Sequence, residues 1–230
     1  MEFRRLSLPA LLLSALLPLC ADADENVRAI PPPSLDEPRA VASGTETAVL
    51  SGGCFWGMQG LFEHVKGVRQ VIAGYAGGGQ NTAQYETVSG GRTGHAESVK
   101  IAFDPSVVSY GEILRVYFSV AHDPTELDRQ GPDEGSQYRS DIFAANDMQE
   151  KIAHAYVAEL TRGHDFTAPI VTRIDRFRGF YPAESYHQDY LIHNPGSMYI
   201  VVNDLPKIAN LKKLYPALYR EDPVKLASMP

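Results

Sequence analysis

The chain has 230 residues, with 28 Asp and Glu against 21 Lys and Arg, for a formal net charge of −7. That acidic balance argues against a nucleic-acid partner, because binding a phosphate backbone draws on a positive field. Two cysteines, Cys20 and Cys54, are too few for a disulfide-built scaffold, and the length is enough for one self-supporting core.

Met1 to Arg5 carries two arginines, Leu6 to Leu19 is an uncharged apolar run, and Ala21-Asp22-Ala23 follows as a small-residue cleavage pattern. As a helix the run would reach only about 21 Å, short of the roughly 30 Å of a bilayer core. Residues 1–23 are therefore read as a secretory signal rather than a stable membrane span. Lipid attachment at Cys20 is the alternative, and the large Leu19 before it disfavours that. Export, to a bacterial periplasm, is the expected destination. Cleavage removes Glu2 and Asp22 together with Arg4 and Arg5, so the net charge is unchanged. It leaves Cys54 alone, with no partner for an internal disulfide.

Residues 24–44 are acidic, rich in Pro and Ala, and contain Pro31-Pro32-Pro33. They are predicted to form a spacer without a core of its own. The globular domain is expected over 45–220, with 221–230 as a tail. Thr47 to Ser51 is a short apolar strand leading into Gly52-Gly53. Phe55, Met58, Leu61, Phe62 and Val65 then recur at helical spacing, and Gly67 stops the helix. Val68 to Ala76 is a second strand. His95 to Phe103 is a third, with His95, Glu97, Val99, Ile101 and Phe103 on one face. Ser109 with Glu112 is a capping box for a helix carrying Ile113, Val116, Tyr117 and Val120. After His122-Asp123-Pro124 a polar loop runs to about Gln137, and Tyr138 to Ala144 is predicted as a strand. Asn146 caps a helix over Asp147 to Thr161, and Ile170 to Ile174 is a further strand. Phe177 to Asn194 is aromatic and irregular, with a short helix near Ala183 to Ile192. A last helix covers Leu205 to Tyr215. Strands and helices mix without a βαβ rhythm, so the fold class is α+β: a single domain with helices packed on a mixed β-sheet, a two-layer sandwich related to the ferredoxin-like folds.

Cys54 follows two glycines and precedes Phe55 and Trp56, at the start of a helix. Thiols react as thiolates, and a helix N-terminus favours the anion. The competing reading is a buried inert cysteine, which would not require Gly52, Gly53 and Gly57 around it. Trp56, the only tryptophan, lies about 200° around the helix from Cys54 and is placed as a pocket wall.

Gly53-Cys54-Phe55-Trp56-Gly57 opening a helix resembles the type A peptide methionine sulfoxide reductases, a family of protein-repair enzymes. Further blocks are similar and stand in the same order: Gly74-Tyr75-Ala76-Gly77-Gly78, Tyr85-Glu86-Thr87-Val88, Thr93-Gly94-His95-Ala96-Glu97, His122-Asp123-Pro124, Asp133 to Ser140, and His187-Gln188-Asp189-Tyr190-Leu191. The likeness runs from about Val49 to Asn194. It implies that residues 45–220 are a reductase domain with Cys54 as nucleophile and Glu97 as general acid. Tyr85 and Tyr138 would hydrogen-bond the sulfoxide oxygen, Asp133 would orient substrate and water, and Phe55 and Trp56 would cup the substrate methyl group. The implied substrate is the S epimer of methionine sulfoxide, in oxidised proteins or free, with a sulfenic acid left on Cys54. No bound cofactor and no metal are implied.

Relatives that recycle through C-terminal cysteines differ from this chain, which has none after Cys54 and has Gly57 three residues on. The expected type is therefore a single-cysteine enzyme, recycled by thioredoxin, glutaredoxin, glutathione or a similar external thiol reductant, and the expected state is a monomer. Two rival classes stay open. One is a cysteine hydrolase or acyltransferase using His95, His187 or His193. The other is an inactive module binding methionine or aromatic side chains against Phe55 and Trp56.

Overall fold

The computed structural model describes residues 27–226. The secretory segment and Cys20 lie outside the described residues.

Six strands form the main sheet, in the order β7-β6-β1-β3-β2-β8. They are β1 (Glu46–Ser51), β2 (Val68–Ala76), β3 (Ala96–Phe103), β6 (Asp141–Ala144), β7 (Arg173–Arg176) and β8 (Phe180–Pro182). All neighbours are antiparallel except β6 and β7, so the sheet is mixed. Two short strands, β4 (Arg129–Gln130) and β5 (Asp133–Glu134), make a separate ribbon. The helices are α1 (Phe55–Glu63), α2 (Tyr85–Val88), α3 (Tyr110–Val116), α4 (Asp147–Arg162), α5 (Tyr190–His193) and α6 (Leu205–Leu214).

Alternation along the central strands sets the layers. Ala48 and Leu50 of β1 and Val99, Ile101 and Phe103 of β3 join Met58, Leu61 and Phe62 of α1 in the main core. Ile152, Tyr156 and Leu160 of α4 complete it. Val49, Ala76, Ala96 and Phe143 form a smaller cluster on the opposite face. Helices therefore cover one face, as expected for an α+β two-layer domain.

Local capping behaves as its chemistry dictates. Ser109 and Glu112 make both halves of a capping box, and the Asn146 side chain accepts from the Gln149 N–H. Beyond α3 the chain widens into a π turn over Tyr117–Ala121 before the extended His122.

Several segments depart from the sequence expectations. The polar loop before Gln137 holds the β4–β5 ribbon. The strand predicted from Tyr138 starts only at Asp141, because Ser136–Tyr138 is a 3₁₀ turn. Arg139 locks that turn by donating to the Ser136 carbonyl at 3.0 Å and pairing with Asp141 at 3.0 Å. The strand predicted at Ile170 is displaced to Arg173, since Val171 N–H donates instead to the Pro124 carbonyl. The helix predicted near Ala183 to Ile192 is broken by Asp189 in the left-handed region, at φ 50°. Its halves are a 3₁₀ turn over Ser185–His187 and the short α5.

The stretch before Thr45 has no core of its own, but it lies against the domain as a strap. Ile30 is 1% exposed within the main core. The Pro31 carbonyl accepts from the Tyr156 hydroxyl at 2.6 Å, and Asp36 accepts from the Gly111 N–H at 2.9 Å. Prolines fix the strap's extended shape and reduce the entropy lost in docking it. No helix among the described residues is long and apolar enough to cross a membrane.

Candidate active site

The turn that presents Cys54 is built from β1 outward. Ser51 ends the strand, its carbonyl accepting from the Tyr117 hydroxyl at 2.7 Å. Gly53 takes φ 90°, and its N–H donates to the Tyr138 carbonyl. A side chain at Gly53 would be strained by that backbone and would also meet Gln130 at 2.6 Å. Cys54 then caps α1 at its N-terminus and is 9% exposed.

Pairing places the acid. Leu50 of β1 faces Val99 of β3, so continuing the ladder would set Glu97 against Gly52, beneath the turn. Glu97 is 2% exposed and accepts from the Phe55 N–H at 3.1 Å. Burial pushes its carboxyl up to about 8, against the pull of that hydrogen bond, with the Asp133 charge adding to the rise. Glu97 is therefore mostly protonated at pH 7.

Tyr85 opens α2, its N–H held by Glu184 at 2.9 Å, and Tyr138 closes the 3₁₀ turn. Both are half-buried. Burial and the Glu97 charge raise both phenols, so both stay protonated as hydrogen-bond donors. Asp133, at the start of β5, accepts from the Tyr199 hydroxyl. Cys54, Glu97, Tyr85, Tyr138 and Asp133 act on one another electrostatically, so they share one neighbourhood.

The aromatic wall is larger than Phe55 and Trp56. Trp56 stacks on Tyr190 at 3.8 Å, takes Tyr199 edge-on at 5.8 Å, and donates its indole N–H to His187 Nδ1 at 3.1 Å. The His187 ring lies 5.1 Å from Phe55 and 4.5 Å from Tyr85. Burial lowers the imidazole, so His187 is neutral at pH 7. Tyr190 and His187 lie within a sequence block that marks the segment. Nothing local to Tyr199 or Asp204 announces their part.

Asp204 is fully buried against α1. A methyl group at Gly57 would come within 1.9 Å of its Oδ1, so α1 and Asp204 fit together only with glycine there. Lys207 pairs with the same oxygen at 3.1 Å.

The thiolate expected of a helix start is not the resting form. Burial pushes the Cys54 thiol well up, the Glu97 and Asp204 charges push further, and the Trp56 N–H opposes them. Burial outweighs the helix terminus, whose Phe55 N–H is given to Glu97.

His95 is committed elsewhere: its Nδ1 accepts from the Gly78 N–H at 3.2 Å and its Nε2 donates to the Gly79 carbonyl at 3.0 Å. His193 is exposed at the end of α5. His95 and His193 are thus not placed to act as the base of a hydrolase, and His187 has its Nδ1 taken by the Trp56 indole N–H.

The arrangement suits reductive removal of an oxygen: a sulfur nucleophile, a protonated acid, two hydroxyl donors and an aromatic wall. The family profile "Peptide methionine sulfoxide reductase" matches residues 46–217. Peptide methionine sulfoxide reductase MsrA 2 of Mesorhizobium japonicum is 60% identical over 187 residues, covering 81% of this chain and 96% of that protein. MsrA 2 of Synechocystis is 49% identical over 190 residues, covering 82% and 89%. Among solved structures, methionine sulfoxide reductase A of Corynebacterium diphtheriae superposes with a TM-score of 0.57 at 34% identity, covering 75% of this chain and 90% of that one. Reduced Mxr1 of Saccharomyces cerevisiae gives 0.60 at 31%, covering 70% and 91%. The chain belongs to the peptide methionine sulfoxide reductase family and is a repair reductase acting on the S epimer of methionine sulfoxide.

Proposed function

We propose that Cys54 attacks the sulfoxide sulfur while Glu97 protonates the oxygen. The observation that carries this reading is the buried Glu97 carboxyl, raised to about 8 and held against the first turn of α1 beside the thiol. A sulfoxide oxygen leaves poorly unless it is protonated, and a carboxyl with a value near the working pH is suited to that task. As Glu97 gives up its proton, the thiol proton of Cys54 replaces it. The methionine sulfur gains two electrons and leaves as a thioether. Cys54 loses two: the sulfur–sulfur bond made in the attack breaks as the protonated oxygen passes from the methionine sulfur to the Cys54 sulfur, leaving a sulfenic acid. No net proton is consumed.

Tyr85 and Tyr138 donate to the oxygen as charge develops on it. Phe55 and Trp56, with Tyr190 and Tyr199, receive the methyl group, and Asp133 holds Tyr199 in that wall. Substrates are exposed methionine sulfoxide in oxidised proteins or the free amino acid. Cys54 is the only cysteine among the described residues, so the sulfenic acid is returned to thiol by an external thiol such as glutathione, a glutaredoxin or a thioredoxin-type protein. The arginine-flanked apolar run supports action after export; cell fractionation with N-terminal sequencing of the processed chain tests that part.

The central test uses a peptide carrying stereochemically pure S or R sulfoxide with dithiothreitol. Loss of one oxygen mass from the S peptide, abolished by Cys54→Ser, is expected. Without reductant, intact-protein mass spectrometry is expected to show one added oxygen on Cys54 and one methionine formed per chain. A mature chain that retains Cys20 and forms a stable Cys20–Cys54 disulfide after one turnover would overturn the single-cysteine cycle.

A further inference from the structure

A cavity of about 310 Å³ reaches Cys54. Its walls include Asp133, Tyr199, Val202, Glu126 and Lys207, but not Phe55, Trp56, Tyr85, Glu97 or Tyr138. It therefore meets the sulfur from a different side than the groups that hold the sulfoxide. Asp133 and Tyr199, joined by their hydrogen bond, form the partition between the two.

We propose that this cavity is the docking site for a low-molecular-mass thiol that reduces oxidised Cys54. The inference rests on the sulfenic acid reading above. Displacement at a divalent sulfur runs in line, with the incoming thiolate opposite the departing oxygen. The oxygen side of Cys54 belongs to Glu97, Tyr85 and Tyr138, so attack must come from elsewhere. The cavity supplies the other approach. Its volume lies at the lower end of the roughly 300–1,000 Å³ of small-molecule pockets, which suits a small thiol rather than a protein surface.

Charge narrows the ligand. Glu126 and Asp133 put carboxylates in the wall; Glu126 is paired with Arg129 at 3.4 Å, an arginine outside the cavity lining, and the Lys207 ammonium is tied to buried Asp204 at 3.1 Å. A neutral or cationic thiol is favoured over an anionic one. In the step itself, the thiol sulfur bonds to Cys54 as the S–O bond breaks. The oxygen leaves as water, taking up the thiol proton. The product is a mixed disulfide, in which the Cys54 sulfur has gained one electron relative to the sulfenic acid and the incoming sulfur has lost one; the second thiol supplies the other. A second thiol molecule attacks the outer sulfur, releasing a low-mass disulfide and the Cys54 thiol.

The test uses the processed full-length enzyme, oxidised by one equivalent of S-sulfoxide peptide without reductant. Methionine formed in that burst is counted first. Cysteamine, 2-mercaptoethanol and 2-mercaptoethanesulfonate are then compared for the rate of sulfenic acid loss, corrected for thiolate fraction. The cationic thiol is expected to exceed the anionic one by about tenfold, the low end of electrostatic steering, and the gap should shrink with salt. Val202 is 54% exposed, so Val202→Trp can narrow the cavity without entering the core. It is expected to slow every small thiol by about tenfold, equivalent to about 1.4 kcal/mol of barrier, with the burst unchanged. A full burst with V202W reduced as fast as wild type, or with the anionic thiol fastest, overturns the inference. So does a sulfenic acid that small thiols leave untouched and only a thioredoxin-type protein reduces. Absence of any burst in the wild type overturns the sulfenic acid reading instead.

Discussion

Replacing Glu97 by Gln separates stability from catalysis. Glu97 is 2% exposed, and its carboxyl is raised from 4.5 to about 8. In the unfolded chain it ionises near its ordinary value; in the folded chain it stays protonated through neutrality. The folded state thus binds the extra proton, so stability is fully present below pH 4.5 and is lost as pH rises toward 8. About 2.5 pH units separate 4.5 from pH 7, at about 1.4 kcal/mol each, so keeping Glu97 neutral costs roughly 3 kcal/mol at pH 7. Gln has no ionisation to suppress, and its side-chain oxygen can still accept from the Phe55 N–H. Glu97→Gln is therefore expected to stabilise the protein at pH 7 by about 1–3 kcal/mol, or very roughly 2–4 °C in Tm per kcal/mol for a domain of this size. At pH 4.5 the gain should nearly vanish. The first turnover should fall by about 10²–10⁴-fold, since the acid is gone. Urea titrations at both pH values, with single-turnover methionine formation on the same samples, make the check. A variant that is less stable at pH 7, or that keeps wild-type turnover, would refute the reasoning.

Tyr85→Phe and Tyr138→Phe are each expected to lower the first-turnover rate by about 10²-fold, the scale of losing one oxyanion donor. Because both side chains are half-buried at the rim, thermal melts should shift little. Gly57→Ala would drive a methyl group into Asp204, and the overpacking should cost about 1–3 kcal/mol in a denaturant titration. Ile30→Ala should cost about 2–5 kcal/mol although its residue lies before the first strand; a loss near zero would show that the strap is detached. Single-turnover rate should fall as pH rises through about 8, where Glu97 loses its proton, whereas an unassisted thiol would react faster with each added pH unit. A stopped-flow profile from pH 6 to 9.5 distinguishes the two.

What was legible in the chain followed from local chemistry. The caps at Ser109 and Asn146 satisfy their own backbone, the Gly52-Gly53 turn follows from glycine's freedom at φ 90°, and each is found where its residues stand. The alternation of β3 placed Glu97 on the face of Val99 and Ile101, under α1. What escaped depends on distant partners. Tyr138 carries strand propensity, but Arg139 bonding back to the Ser136 carbonyl holds that stretch in a turn. Ile30 sits beside three prolines and looks like spacer; only the Tyr156 hydroxyl and the core behind it show that the stretch docks. Asp204 opens a segment that resembles the ending of family members without C-terminal cysteines, yet nothing in that resemblance foretells Gly57 as its neighbour, nor Asp133 as that of Tyr199. The ionisation of Cys54 escaped for a related reason: a helix terminus is written locally, whereas burial is decided by the whole fold.

That reversal changes how the nucleophile is to be understood. A stabilised thiolate would meet any electrophile that reached it, and no second thiol lies among the described residues to undo the damage. Here the thiol is kept protonated by burial, and the same burial keeps Glu97 protonated beside it. The two groups oppose each other's ionisation. Raising the pH does not free the sulfur, because Glu97 loses its proton first and its charge then holds the thiol proton more tightly. A bound sulfoxide breaks the stalemate. In the proposed step its oxygen takes the Glu97 proton, and the carboxylate so formed takes up the proton of Cys54. Under the proposed cycle, reactivity therefore arises with the substrate oxygen rather than before it, and the burial that raises the Cys54 thiol is what holds it in reserve until then.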